Sequence, residues 1–258
     1  MSFAPMLESD VTSWSGESDV VVVGFGGAGA CAAIAAADDG ASVMIVEAAS
    51  ASGGSTALSS AEIYLGGGTK IQKAVGYEDS VEDVFGYLMA SNGPQADANK
   101  VRAYSEGGAE HLDWLMSLGV PFKASELKER AMMALTDDCL LYTGSEKAWP
   151  YSEHYKPAPR GHNLEVEGDN GGPLLTKILL QQVEQRGIDI HYESRALRLI
   201  VSCFGPQQRI VGLAVRQNMQ EHYFRAGKGV VLCAGGFIMN EDMVREYCPQ
   251  FLDNKTQI

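Results

Sequence analysis

Asp19-Val20-Val21-Val22-Val23-Gly24-Phe25-Gly26-Gly27-Ala28-Gly29 opens the first regular part of this 258-residue chain. Its β-branched run is typical of a strand that is buried on both faces of a sheet. The glycines after it fit G-x-G-x-x-G, and an Ala-rich helix then continues to about Asp39, with Gly40 at its end. A second buried strand, Ser42–Glu47, completes a βαβ unit. The order of these elements predicts an α/β fold with a parallel central sheet.

The glycine pattern stands where a Rossmann unit binds the diphosphate of a dinucleotide. Gly24 permits the tight turn, Gly26 lets the backbone approach a diphosphate, and Gly29 lets the helix pack closely on its strand. The helix amino terminus offers N–H groups and partial positive charge to the phosphates. Glu47, 23 positions after Gly24, is placed to accept the ribose hydroxyls, and its charge disfavours NADP. The alternative is a glycine turn in an α/β protein that binds no dinucleotide.

The segments beyond Glu47 favour FAD over NAD. Ser52-Gly53-Gly54-Ser55-Thr56 stands where an NAD-binding domain would begin its next helix. Its small residues allow backbone to lie flat against a large planar ligand, whereas the alternative is a flexible surface loop. Gly229–Gly236 is typical of a buried strand that ends in small residues, and its end would lie against the same ligand. The alternative is a parallel strand with no such role. Together with the glycine motif, these segments predict FAD.

Composition and charge exclude several classes of function. The net charge of −13, with no basic cluster, argues against binding to nucleic acid or anionic membrane. The longest apolar stretch, Ala28–Ala37, falls far short of the roughly 20 residues that span a bilayer, and no secretory signal is visible. The five cysteines are scattered, and the five histidines lack metal-ligand spacing. We therefore expect a cytoplasmic protein with reduced core thiols, no transmembrane segment and no metal.

The remaining chain is less regular. We expect residues 1–18 to be a loose leader and residues 19–258 to form the FAD-binding domain. No clear pattern is present in residues 123–170. Hydrophobic periodicity and turn residues predict further elements: helices over 80–90, 97–118, 171–186 and 243–247; strands over 188–192 and 229–233; and a β-hairpin insertion over 196–203 and 210–216, with which Tyr223-Phe224 could pair as a meander.

In these motifs the chain resembles the fumarate reductase/succinate dehydrogenase flavoprotein family. Within that family it is most similar to the 3-ketosteroid dehydrogenases of the 3-oxo-5α-steroid 4-dehydrogenase type. The resemblance covers nearly the whole chain from about Trp14 onward. The wider resemblance rests on Gly24–Gly29, Glu47, Gly53–Thr56 and Val231–Gly236. The resemblance to the 3-ketosteroid dehydrogenases rests on Ile63–Thr69, Gly119–Lys123 and Pro157–His162.

The resemblance implies how FAD is held. Ala196 would offer backbone to the adenine, and Ser59-Ser60-Ala61 would run beside the flavin, although the family more often has a glycine pair at the last two positions. No histidine lies between Ala48 and Thr69, where covalently flavinylated relatives carry one, so we expect noncovalent FAD. The predicted FAD-binding residues are Gly24, Gly26, Gly27, Ala28, Gly29, Glu47, Ala48, Gly53, Gly54, Ser55, Thr56, Ser59, Ser60, Ala196, Ala234 and Gly235.

The resemblance also implies elements that this sequence does not show. Such flavoproteins continue with a substrate-binding cap domain and then return to the FAD domain, so we expect an incomplete FAD-binding domain whose partner is the missing C-terminal half. The family's catalytic tyrosines lie mostly in that half, and we assign no catalytic residue. Tyr64, Tyr142, Arg160 and His162 are candidates for facing a substrate, with surface or packing roles as the alternative.

The leading hypothesis is an FAD-dependent oxidoreductase that dehydrogenates a CH–CH bond next to a ketone, in a steroid. The flavin would accept a hydride from carbon while a protein base takes the neighbouring proton. One alternative is the reverse reaction, the reduction of an enone or a fumarate-like acid; no basic cluster that would clamp a dicarboxylate is visible. The other is a truncated, catalytically silent fragment that binds FAD.

Overall fold

A computed structural model of the chain describes residues 4–129 and 135–253. The chain divides into two compact units. Unit 1 comprises Met1–Ser52 and Arg186–Ile258, and unit 2 comprises Gly53–Gln185. Unit 2 is therefore an insertion in the sequence of unit 1.

The elements are defined as follows. The strands are β1 (Met6–Leu7), β2 (Gly16–Val23), β3 (Val43–Val46), β4 (Ile63–Tyr64), β5 (Leu140–Leu141), β6 (Gly161–His162), β7 (Asp189–His191), β8 (Arg195–Val201), β9 (Ile210–Gln217) and β10 (Gln220–Leu232). The α-helices are α1 (Gly27–Asp38), α2 (Gly54–Ala57), α3 (Lys70–Val75), α4 (Val81–Asn92), α5 (Ala98–Ser117), α6 (Tyr151–His154), α7 (Gly171–Gln185), α8 (Glu241–Tyr247) and α9 (Gln250–Asp253). Short 3-10 helices cover Glu8–Asp10 and Gly93–Gln95.

Unit 1 is built on a seven-stranded sheet with the order β1-β8-β9-β10-β2-β3-β7. The run β10-β2-β3-β7 is parallel, β8-β9-β10 is an antiparallel meander, and β1 pairs with β8 in parallel. Val21, Val22 and Ile45 are completely buried, as expected of strands covered on both faces. Helix α1 packs on β2 and β3 through small buried side chains such as Ala33. The predicted α/β fold with a parallel core and a meander insertion is confirmed.

The strands of unit 1 differ from the predicted ones at two places. The strands predicted separately at 223–224 and 229–233 are parts of one 13-residue strand, β10, which ends one residue earlier, at Leu232. Its register against β2 shifts between Ala226 and Gly229, and an irregularity of this kind lets a strand bend without ending. In the predicted leader, Met6–Leu7 pairs with β8, and β2 already begins at Gly16.

Unit 2 places helices around a small antiparallel sheet with the order β4-β6-β5. Ser80 caps the amino terminus of helix α4, and its hydroxyl accepts the Asp83 N–H at 3.0 Å, a typical N-cap. Helices α4, α5 and α7 match the predicted helices to within two residues at each end. Strands β5 and β6, in the segment without a clear pattern, have two residues each, too few for a period of two to be visible in sequence.

All five cysteines are free thiols. Burial raises the pKa of Cys139 to about 12, and burial together with nearby Cys233 raises the pKa of Cys31 to about 11. Cys203 is exposed in the turn between β8 and β9, so the expectation of core thiols is wrong for that residue. In the part of the chain that the structure covers, no helix is both long and apolar enough to cross a bilayer.

Candidate cofactor site

The turn between β2 and α1 requires glycine at two positions. Gly24 has a φ of +98°, and its N–H donates to the Val46 carbonyl at 2.8 Å. A Cβ atom added to Gly24 would lie 2.5 Å from the carbonyl oxygen of Cys233, and one added to Gly29 would lie 1.9 Å from the carbonyl oxygen of Gly24. No side chain fits at these distances. The turn, the first turn of α1 and the residue after β10 therefore pack backbone against backbone, as the motif predicts.

The amino terminus of α1 lies directly after this turn. Gly26 is the N-cap residue, in an extended conformation, and Gly27 is the first helical residue. Ala28 is exposed in the first turn and has a small side chain. The first N–H groups of a helix have no acceptor within it and bear its partial positive charge, an arrangement that favours phosphate.

Glu47 connects the end of β3 to the glycine turn. Its Oε2 accepts the N–H of Phe25 at 2.6 Å, and its Oε1 accepts the N–H of Ala49 at 2.8 Å. The side chain thus points toward the turn. Because the two oxygens of a carboxylate offer about four acceptor positions, these bonds leave capacity for sugar hydroxyls.

Two contacts that the sequence did not predict hold Glu47 in place. The Glu47 N–H donates to the His191 carbonyl at 2.9 Å, and the Ser194 N–H donates to the Glu47 carbonyl at 2.8 Å. Phe25, 2% exposed, stacks on Tyr192 with 6.3 Å between ring centroids. These partners are remote in sequence and meet only because β7 pairs with β3, so no local motif could have identified them.

The remaining predicted cofactor residues of unit 1 discussed below, Ala234, Gly235 and Ala196, do not all lie near the glycine turn. Ala234 contacts the glycine turn: its Cα would lie 3.2 Å from a Cβ atom on Gly24. Gly235 follows with a φ of +88°, and both residues are exposed. Ala196 lies on β8 opposite Val215 and packs against the hydrophobic core of the sheet. The structure therefore brings Ala234 to the turn but gives no contact between Ala196 and the turn.

In unit 2, the predicted flavin-side loop begins with two glycines of positive φ, a conformation that glycine adopts readily. Gly53 and Gly54 have φ values of +119° and +49°. A Cβ atom on Gly53 would lie 2.6 Å from the Ala57 Cβ. Gly54 and Ser55 are exposed at the start of the short helix α2. The loop therefore presents backbone and a small hydroxyl side chain rather than bulky groups.

The continuation of this loop is fixed by Ser59. Its hydroxyl donates to the Thr56 carbonyl at 2.8 Å and accepts the Ala61 N–H at 3.2 Å. Its own carbonyl accepts the N–H of Gly172, in the first turn of α7, at 3.0 Å. Ala61 has a φ of +53°, so one position where the family more often has glycine does adopt the left-handed conformation that favours glycine.

Arg160 and His162, two of the candidates for facing a substrate, are buried in a polar network. Arg160 and the Asp79 side chain are at most 1% exposed, and the guanidinium donates to both carboxylate oxygens, at 2.8 and 3.1 Å. His162 Nε2 lies 3.0 Å from the Thr69 hydroxyl, and burial lowers the pKa of His162 to about 4. Gln72 donates to Asp79 at 3.1 Å. These contacts agree with the packing alternative for both residues.

Tyr64 and Tyr142 also have partners within unit 2. Tyr64 donates to Oε1 of buried Glu146 at 2.7 Å, and burial and this carboxylate raise the pKa of Tyr64 well above its ordinary value. The Lys147 ammonium lies 3.5 Å from the centre of the Tyr142 ring, a cation–π contact. Asp79 and Glu146 were missed in the sequence, since neither stands in a recognisable motif.

Comparison with known proteins assigns the chain to a family. The model of the FAD binding domain family matches residues 19–257. The chain belongs to this family. The FAD-binding domain is 41% identical to the 3-ketosteroid-Δ4-(5α)-dehydrogenase from Rhodococcus jostii RHA1, solved with 4-androstene-3,17-dione, with a TM-score of 0.92 over 96% of this chain and 52% of that one.

Two curated relatives agree with the assignment. The FAD-binding domain is 33% identical to the 3-oxo-5-alpha-steroid 4-dehydrogenase of Comamonas testosteroni, over 74% of this chain and 36% of that protein. It is 30% identical to a probable fumarate reductase of Shewanella frigidimarina, over 92% of this chain and 35% of that protein. The chain therefore spans about a third of the length of these curated relatives and about half of the solved steroid dehydrogenase.

Unit 1 fits the cofactor of this family. The turn at Gly24 and Gly29 admits no side chain, which leaves backbone to meet a diphosphate. The Glu47 carboxylate points at the same turn and keeps acceptor positions for a sugar. The relatives of this FAD-binding domain include dehydrogenases and a probable fumarate reductase.

Proposed function

We propose that this chain is the FAD-binding part of an oxidoreductase that dehydrogenates a CH–CH bond next to the ketone of a 3-ketosteroid. One observation carries the substrate class: the 41% identity, over 96% of the chain, to a dehydrogenase solved with a 3-ketosteroid. The same likeness extends to the fold, with a TM-score of 0.92. The fumarate reductase relative is less similar, at 30% identity.

The site residues have distinct proposed roles. In unit 1, the turn from Gly24 to Gly29 would hold the diphosphate, Glu47 and Ala48 the ribose, and Ala196 the adenine, with Ala234-Gly235 beside the turn. In unit 2, Gly53–Thr56 and Ser59-Ser60 would line the flavin with backbone and hydroxyl groups. No histidine stands in this loop, which supports noncovalent FAD.

The reaction removes a hydride from one carbon and a proton from its neighbour, and a C=C bond forms between them. FAD, when bound, supplies the hydride acceptor. The residues of this chain would hold and orient the cofactor, with its negatively charged diphosphate at the positive amino terminus of α1. The base that takes the proton would come from the polypeptide equivalent to the half of the steroid dehydrogenase that this chain does not match.

The ion pair of Arg160 is relevant to the alternative function, which is the reduction of a fumarate-like acid. A dicarboxylate requires cationic side chains that can reach it. The Arg160 guanidinium is buried and already bonded to both oxygens of Asp79, so it cannot also clamp a substrate carboxylate without breaking that pair. This removes Arg160 as a clamp for a substrate acid.

An anaerobic flavin-bleaching experiment tests the proposal. The chain is purified with FAD and mixed with 5α-androstane-3,17-dione, the saturated counterpart of 4-androstene-3,17-dione, alone and after co-expression with the unmatched half of the Rhodococcus enzyme. We expect yellow protein whose 450 nm absorbance falls with steroid in the co-expressed sample. Reoxidation of pre-reduced flavin by fumarate but not by an enone would favour the reductase. Yellow protein that neither bleaches nor reoxidises in either sample would support the silent fragment.

The proposal includes a partner and a location. The partner is the polypeptide equivalent to the unmatched half of the steroid dehydrogenase, which would supply substrate-binding and catalytic groups. The five free thiols support a cytoplasmic location, because thiols stay reduced there.

A further inference from the structure

Two carboxylates of unit 2, those of Glu62 and Glu146, lie close to the loop that is proposed to line the flavin. Glu62 directly follows Ala61, the last residue of that loop. The Tyr64 hydroxyl, two residues further along the chain, donates to Glu146 Oε1 at 2.7 Å. The start of β4 therefore connects the loop to both carboxylates.

Two glycines leave room for these carboxylates. A Cβ atom on Gly161 of β6 would lie 3.0 Å from Glu62 Oε1, and one on Gly144 would lie 3.0 Å from Glu146 Oε1. Both distances are tighter than ordinary van der Waals contact, so a side chain at either glycine would force the neighbouring carboxylate to shift. The backbone around the small sheet is thus shaped to hold both groups.

Glu146 is 1% exposed, and its two oxygens differ. Oε1 accepts the Tyr64 hydroxyl, whereas Oε2 has no hydrogen-bond partner among residues 4–129 and 135–253. The nearby guanidinium of Arg160 is already bonded to both oxygens of Asp79. Because a buried charge without full compensation is costly in free energy, a proton bound close to Glu146 would lower that cost.

Glu62 is placed to bind such a proton. It is half-buried, at the end of the loop. Burial raises the pKa of Glu62, a hydrogen bond with Thr143 opposes the rise, and the charge of Glu146 adds to it. Two carboxylates that interact in this way bind their protons as a pair.

The other titratable groups around the two carboxylates keep their protons or their ion pair. The Arg160 guanidinium and the Asp79 carboxylate compensate each other through two hydrogen bonds. Burial raises the pKa of three neighbouring tyrosines, which therefore stay protonated. They come from β4, from α4 and from the residue after β5, and they are Tyr64, Tyr87 and Tyr142.

We propose that Glu62 and Glu146 form a proton-accepting pair beside the flavin, and that the pair binds one proton from solvent when the bound flavin is reduced. Hydride transfer adds one negative charge to the flavin ring. A negative charge nearby favours the protonated form of a carboxyl group, so a proton on Glu62 would offset the added charge and would return to solvent on reoxidation. The inference rests on the proposed position of Ser59-Ser60 beside the flavin but not on the steroid substrate.

A carboxyl titration of the full 258-residue chain without FAD tests the pair. Carbon-detected NMR of glutamate-labelled protein follows the Glu62 carboxyl, which is assigned by the loss of its signal in Glu62→Gln. We expect its titration midpoint to lie above that of Glu167, an exposed residue, and to fall in Glu146→Gln, because the like charge is removed. A midpoint that is the same in wild type and in folded Glu146→Gln would overturn the pair.

A redox titration of the FAD-loaded chain tests the proton uptake. Reduction at an electrode requires no substrate, and the change of midpoint potential with pH above neutrality counts the protons bound with two electrons. We expect wild type and the control Glu167→Gln to bind one proton more than Glu62→Gln. Equal uptake in wild type and Glu62→Gln would refute the proposal. Uptake that depends on Glu62 in a chain that does not oxidise the steroid contradicts only the proposed substrate.

Discussion

Glu47 accepts one N–H from the glycine turn and one from Ala49, so a single carboxylate fixes both the turn and the end of β3. Replacing Glu47 by Gln substitutes an NH₂ donor for one of these acceptors and removes the charge. Hydrogen bonds to charged groups contribute about 1.5–3 kcal/mol, so we expect the Kd for FAD to rise about 10- to 100-fold. Fluorescence titration of FAD measures this. Glu17→Gln, at an exposed position on β2, is the control, and an unchanged Kd in Glu47→Gln would remove Glu47 from the site.

Ala61 provides a test of backbone strain. Its φ of +53° costs a residue with a Cβ about 1 kcal/mol or more, whereas glycine loses about 0.5–1 kcal/mol through chain entropy. We expect Ala61→Gly to change the free energy of unfolding by less than about 1 kcal/mol. Ala33→Gly, at a buried position inside α1, should lose roughly 1.5–2 kcal/mol. Urea unfolding compares them; equal losses would contradict the strain argument.

His162 makes stability depend on pH. Its pKa in the folded protein is about 4, below the ordinary value of about 6.5 in the unfolded chain. The unfolded state therefore binds the proton first, and stability is lost as pH falls from about 6.5 toward 4. We expect a loss of about 2 kcal/mol between pH 7 and pH 5 from this residue. Urea unfolding at both pH values should show a smaller difference in His162→Asn, whereas exposed His154→Asn should keep the wild-type difference.

Residues were predictable from sequence where a rule of covalent geometry or spacing applied. Gly24 and Gly29 were identified because only glycine permits their backbone positions, and Glu47 because its distance along the chain follows from a βαβ unit. Ser194 and Tyr192 were missed because they reach Glu47 and Phe25 through strand pairing. Pairing between strands that are distant in sequence cannot be inferred from a local stretch of sequence.

At the scale of elements, the Asp79–Arg160 pair ties together the segments around the small sheet of unit 2. The Leu65 N–H donates to the Arg160 carbonyl at 2.8 Å, and the Gly67 N–H donates to Asp79 at 3.1 Å. We expect Asp79→Leu alone to cost about 3–5 kcal/mol, because it leaves a buried cation unpaired. The double variant Asp79→Leu/Arg160→Met should recover part of this loss. Chemical unfolding distinguishes the cases, and a double variant less stable than Asp79→Leu would contradict this account.

Long elements were predictable because their periodicity extends over several turns or a full buried strand. Helices α4, α5 and α7 and strands β2 and β3 all have this property. Strands β5 and β6 have two residues each and exist because β4 and β5 both pair with β6. The continuity of β10 through Ala226–Gly229 was hidden because glycines in that stretch resemble a break.

At the scale of the whole molecule, the chain leaves unit 1 at Ser52 and returns at Arg186. Sequence patterns predict a single FAD-binding domain over residues 19–258, because they assign the Gly/Ser-rich stretch Ser52–Thr56 to the cofactor site and not to a boundary. The predicted cofactor residues are thereby divided, with the ADP-side group in unit 1 and the flavin-side group in unit 2.

This division allows each group to be tested separately. We expect ADP to slow amide hydrogen exchange in Gly24–Ala30 and Glu47–Ala49, and FAD to slow it also in Gly53–Ser60. FAD at 100 times its Kd should stabilise the protein by about 2.7 kcal/mol. Exchange followed by mass spectrometry, with an equal concentration of phosphate as the control, measures the first effect. Slowed exchange in Gly53–Ser60 with ADP alone would contradict the assignment of the two groups.

The cysteines make site-selective labelling practical. Cys203 projects into solvent from a hairpin tip, while Cys31 and Cys139 remain protonated at neutral pH because their pKa values are about 11 and about 12. A maleimide dye added at one equivalent should therefore attach first at Cys203, since alkylation needs an accessible thiolate. A fluorophore at that tip would report tumbling and complex formation in real time without any engineered substitution.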